Sequence, residues 1–190
     1  MKAEEKIYGA YLELKEGKLY FNQLKDYSRL SHSSLQNVLD KLVKNRILNL
    51  EITKSNTFYE VKNRRLFSLK FSEIAMNKFE NLNIGIKVPL KNFLREIPNH
   101  VFTIVFFGSA SRKEQKKESD IDLLIVEDKK TDFEKLKKEI NNVSNYPLSI
   151  FKCTTEQFHK NKDPIIIQAR KTGFPIYKEQ NFYEAILNEY

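Results

Sequence analysis

Two aspartates one residue apart, Asp120 and Asp122, stand at the head of an apolar run, Leu123-Leu124-Ile125-Val126, and a glycine–serine pair, Gly108-Ser109, precedes them. Side chains alternate along a strand, so the two carboxylates point to one face and Ile121 to the other. Carboxylates at that spacing can bind one or two divalent cations. Gly108 has no side chain to hold a phosphate away from the backbone, and the N–H groups around Ser109 and Ala110 can donate to it. The chemistry these residue types allow together is that of phosphate groups beside a metal.

The surrounding chain supplies elements able to hold them. Val101–Phe107 is an apolar, β-rich run that reads as a buried strand ending at Gly108. Ala110-Ser111-Arg112 begins a turn of helix, and a polar loop, Lys113–Ser119, leads to the aspartates. Val88–Glu96 reads as a short amphipathic helix, Phe133–Val143 as another, and Leu148–Cys153 as a strand. A helix over Asp163–Lys171 carries Pro164 early, where helices accept it, and Thr172-Gly173 closes it before a short apolar strand, Phe174–Tyr177. Tyr146, Tyr177 and Cys153 read as core, and His32, His100 and His159 have no evident catalytic partners.

Strand, Gly-Ser, variable spacer and Asp-x-Asp opening the next strand, here FFGSASRKEQKKESDIDLLIV, resemble the nucleotidyltransferase superfamily of DNA polymerase beta and the minimal nucleotidyltransferases. The resemblance implies an α/β (α+β) domain with a mixed sheet flanked by helices. It implies that Gly108 and Ser109 hold the β- and γ-phosphates of an NTP, with Arg112 and the loop lysines adding charge, and that Asp120 and Asp122 are catalytic and bind Mg²⁺ or Mn²⁺. The implied reaction moves an NMP to a hydroxyl of a protein, RNA or small molecule, with metal ions stabilising the attacking and leaving oxygens. The family usually supplies a third carboxylate from a following strand. Leu148–Cys153 holds no Asp or Glu; Ser149 falls near the expected position, and Glu118, Glu127 or Asp128 are the alternatives. Enzymatic turnover is therefore an open expectation.

The N-terminal third reads as three helices and a hairpin. Ile7, Tyr8, Tyr11, Leu12 and Leu14 form a loose stripe ending near Gly17, and Phe21, Leu24 and Tyr27 a second. Leu35, Val38, Leu39 and Leu42 fall on one face of a third helix, capped by Ser31 or by Ser33 with Gln36 as a capping box. Ile47–Thr53 and Phe58–Lys62 read as strands around a tight turn, with Asn56 in a left-handed conformation. This order resembles the winged helix-turn-helix family, over residues 3–63. The resemblance implies double-stranded DNA as partner, with Ser33, Gln36, Asn37 and Lys41 facing base edges or phosphates and Lys54, Arg64 and Arg65 facing phosphates. A winged helix used only for protein contacts stays open beside it. Arg64–Asn83 reads as a connecting helix whose stripe (Phe67, Phe71, Ile74, Ala75, Phe79, Leu82) is core or a homodimer seam, and Asn83-Ile84-Gly85 as its stop. The domains expected are 1–63, a connecting helix over 64–84, and 85–190.

Composition bounds the rest. The 190 residues carry 33 Lys+Arg and 25 Asp+Glu, net +8, with 41% hydrophobic residues, enough for a core. One cysteine excludes an internal disulfide, and no run of 18 apolar residues offers a membrane span, so a cytoplasmic protein is expected. Residues 1–84 hold 15 basic and 10 acidic side chains, net +5, and Ser28–Arg65, with eight and three, accounts for the same +5. The expectation is a metal-dependent nucleotidyltransferase with a DNA-binding N-terminal domain. The alternative is a non-enzymatic regulator or antitoxin-like protein whose second domain only binds nucleotide or a partner.

Overall fold

The computed structural model describes residues 2–111 and 120–189. It divides into two compact units, residues up to Ile74 with Tyr183 onward, and Ala75–Phe182.

The first unit runs α1 (Ala3–Leu14), β1 (Lys18–Tyr20), α2 (Phe21–Ser28), α3 (His32–Lys44), β2 (Leu48–Ile52), β3 (Thr57–Val61) and the first part of α4 (Arg64–Glu80). Its three strands form an antiparallel sheet in the order β1-β3-β2. β1, only three residues long, lies below what sequence periodicity resolves. Helix α1 stops at Lys15, which takes the left-handed φ of 55°. In α3 the cap is Ser31, whose Oγ accepts from the Ser34 N–H at 3.3 Å. Ser33 therefore forms no capping box with Gln36, whose Nε2 donates to Asp40 Oδ1 at 2.8 Å instead. The hairpin closes without a left-handed Asn56: Thr53 Oγ1 accepts from the Asn56 N–H and donates to its carbonyl, at 3.0 and 2.9 Å. The α4 stripe is spent on intrachain packing. Phe67 sits edge-on to Tyr8, Tyr11 and Phe71 at 5.0–5.7 Å between ring centroids, so it is core within this unit.

The second unit takes the end of α4 and then α5 (Ile84–Arg95), β4 (Thr103–Phe107), α6 (Gly108–Ser111), β5 (Ile121–Val126), α7 (Glu134–Asn141), β6 (Leu148–Cys153), α8 (Thr155–Lys160), α9 (Pro164–Thr172), β7 (Phe174–Tyr177) and the start of α10 (Glu179–Leu187). Asn83-Ile84-Gly85 is a start rather than a stop: Asn83 Oδ1 accepts from the Gly85 N–H at 2.8 Å and caps α5. The sheet order is β6-β5-β4-β7, with β5 parallel to β6 and the other pairs antiparallel. It is thus a mixed sheet, and α7 makes the crossover that a parallel pair requires. Every residue of β4 is buried, and so is every residue of β5 except Asp122. An apolar strand with one half-exposed carboxylate is where propensity yields to chemistry.

Candidate active site

Strand pairing fixes what stands beside Asp122. Its Cα partner on β4 is Phe107, the residue before Gly108, and its partner on β6 is Ser149. Directly paired residues share a face of the sheet, so Phe107, Asp122 and Ser149 line up across three strands. The Phe107 and Phe151 rings, 5.8 Å apart, pack on that same face.

Gly108 is required twice over. Its φ of +78° is one that side-chain-bearing residues rarely adopt, and a Cβ built there would sit 2.0 Å from Asp122 Oδ2. The Asp122 carboxylate therefore fills the space that a side chain at 108 would need. This brings the backbone at the end of β4 against the carboxylate at the start of β5. Gly173 does related work through space alone, since a Cβ there would meet the Ala169 and Phe106 carbonyls at 2.7 Å; it lets the end of α9 close onto β4 beside the site.

Burial, and after it the charge of Asp120, push the Asp122 carboxyl above its usual range. Asp120 itself is exposed, just ahead of β5. Two repelling carboxylates, one half-buried, form an all-oxygen donor pair. That pair suits a hard cation of the Mg²⁺ kind, which takes one or two carboxylates and fills its remaining positions with waters and phosphate oxygens. Among the described residues no group of three or more His, Cys, Asp or Glu side chains is placed to hold a metal.

The alternatives for a third carboxylate are displaced. Glu127 lies five strand residues beyond Asp122, roughly 17 Å away at about 3.4 Å per residue. Its buried carboxylate accepts from the Thr131 N–H at 3.1 Å, with Lys152 Nζ and His100 Nε2 each at 3.7 Å. Asp128 accepts from the Thr155 N–H and Oγ1 at 2.9 and 2.8 Å, which lowers its pKa. Both carboxylates hold the far end of the sheet together. Arg112, the loop lysines and Glu118 lie outside the described residues.

Two features could not be fixed from the residue pattern. One is the register that sets Ser149 beside Asp122, which depends on pairing between distant segments. The other is a cavity of about 520 Å³ on the same face. Leu124 and Phe151, two residues along from Asp122 and Ser149, line it, with Gln157, Lys160, Lys162 and Ile166 opposite.

In the first unit α3 exposes Ser33, Asn37 and Lys41, with Gln36 half-buried. Lys41 Nζ pairs with Glu4 Oε2 at 3.1 Å. Lys54 is exposed in the β2–β3 turn, and Arg64 and Arg65, also exposed, open α4.

Residues 89–172 match a family model described as "Nucleotidyltransferase domain". The matched segment is less than half of the chain and contains Gly108, Asp122 and Ser149, and it supports the nucleotidyltransferase superfamily for this domain. No curated protein and no solved structure matches the chain. Among the described residues no helix is long and apolar enough to cross a membrane.

Proposed function

We propose that the second unit transfers a nucleoside monophosphate from an NTP to an acceptor hydroxyl. The observation that carries this reading is the interlock of Gly108 with Asp122, because it sets the glycine backbone proposed to receive phosphate directly beside a carboxylate. Asp120 and Asp122 would hold a divalent cation, which when bound supplies charge neutralisation at the phosphates and a lowered barrier for the hydroxyl. Gly108 and Ser109 receive the β- and γ-phosphates on the β4 side of Asp122. The acceptor approaches from the β6 side, where the Leu124–Phe151 cavity lies, so attacking and leaving groups come from opposite sides. The acceptor hydroxyl gives up its proton to solvent water as its oxygen bonds to the α-phosphorus, the bond to the bridging oxygen breaks, and pyrophosphate leaves with the electron pair. Incubation with α-labelled NTPs, Mg²⁺ and cell extract should label an acceptor with the wild-type protein and not with Asp122→Ala. Transfer that survives the substitution would place the chemistry elsewhere.

Ser149 beside Asp122 favours a second reading, nucleotide binding without fast turnover. In either case the order of helices and hairpin in the first unit, with its share of the +8 charge, supports a winged helix that binds double-stranded DNA. Lys54→Ala should then weaken duplex binding across all sequences and reduce the slope of log K against log salt by about one. An unchanged slope would remove Lys54 from the interface.

A further inference from the structure

Within the first unit, a cavity of about 420 Å³ lies between the start of α3 and the hairpin. That volume is ordinary for a small-molecule site. No Asp, Glu, Lys or Arg lines it, although the surrounding segment, Ser28–Arg65, carries a net +5. A charged ligand would meet no fixed counter-charge among these side chains. The seat is therefore for a neutral group.

The lining is aromatic on one side and amide on the other. The Phe21 and His32 rings stand 4.8 Å apart at the mouth, and the Tyr59 ring, 2% exposed, forms part of the wall. Leu50 and Ile52 turn toward it while remaining 44% and 74% exposed, so apolar surface is left for a ligand to cover. Asn22, also lining the cavity, is exposed, and its side-chain amide makes no hydrogen bond among the described residues. Gln36 donates its amide N–H groups to Asp40 and to the Tyr59 hydroxyl, so it offers a ligand its carbonyl oxygen as an acceptor, and Asn22 alone offers both donor and acceptor. A side-chain amide sets a donor and an acceptor side by side, the arrangement that pairs with the edge of a nucleobase. Aromatic faces stack on its plane. A purely apolar ligand would strand the amides, and a flexible polar one would leave the rings unused.

We propose that this cavity binds an uncharged nucleobase, stacked against Phe21 and His32 and read at its edge by Asn22 and Gln36. The base comes either from a free nucleoside or from an unpaired position of a nucleic-acid strand. Gln36 belongs also to the helix face proposed for duplex binding, so a bound base and a duplex compete; that consequence rests on the duplex reading, whereas base binding does not.

The test titrates the full chain with adenosine, guanosine, cytidine and uridine, and separately with short single-stranded oligonucleotides, following binding by NMR or calorimetry. Nucleosides carry no phosphate, which separates this site from the one at Asp122. The expected result is binding of at least one nucleoside, weakened about tenfold by Asn22→Leu and by Phe21→Ala, the scale of one lost polar or stacking contact, and unchanged in Asp122→Ala. Binding of the strand alone, with the same dependence on Asn22 and Phe21, supports the site with the strand as source. Asn22 is exposed, so its variant keeps the test valid if Phe21→Ala fails to fold. Absence of binding in both arms overturns the proposal, as does binding indifferent to Asn22 and Phe21 or lost in Asp122→Ala.

Discussion

Asp122 stands between two demands. Its burial and the Asp120 charge both oppose ionisation, so its folded pKa lies above its unfolded value. Such an acid contributes stability while protonated and loses it as pH rises through the folded pKa. Metal-free Asp122→Asn should therefore melt higher than wild type at neutral pH. The gap should widen as pH rises from about 3, near and below the unfolded aspartate value of about 3.9. Thermal denaturation against pH, with chelator present, measures this. An Asn variant no more stable than wild type at pH 7 would mean that the carboxylate is not held at a disadvantage. The placement of Gly108 after one buried strand and of Asp120 and Asp122 at the start of the next was legible in the sequence, because apolar runs and their punctuation act over a few residues. The Gly108–Asp122 approach was not, since it depends on β4 and β5 pairing across the intervening loop.

Register decides what surrounds the aspartates. β6 carries Ser149 in line with Asp122, and because paired residues share a face, Ser149→Asp would add a carboxylate beside the existing pair. If the absence of that group limits turnover, the substitution should raise label transfer in Mg²⁺ by on the order of tenfold, about 1.4 kcal/mol of barrier. An unchanged rate would show that turnover is limited elsewhere. The long, strongly periodic elements, α3 and the strands around the site, could be read from residue types. The misreadings fell where a local hydrogen bond selects among equivalent signals. Thr53 rather than Asn56 closes the hairpin, and Asn83 starts a helix rather than ending one, while of the two caps open for α3 the structure uses Ser31. The three-residue strand β1 left no pattern long enough to distinguish.

At the scale of the molecule, both units are basic: the first carries 14 Lys+Arg and 11 Asp+Glu, net +3, and the second 19 and 14, net +5. The central claim is that Gly108, Asp120 and Asp122 form one site for a nucleoside triphosphate and a divalent cation. It holds whether or not turnover is fast, so equilibrium binding tests it more directly than activity. The deciding measurement is isothermal titration of ATP, GTP, CTP and UTP into the full chain with Mg²⁺ and with chelator. At least one NTP should bind only when Mg²⁺ is present. Asp122→Asn and Gly108→Ala should each weaken that binding by about a hundredfold, roughly 2.7 kcal/mol. Binding that needs no divalent cation, or that is equal in both variants and wild type, would contradict the account, as would the absence of binding by all four nucleotides.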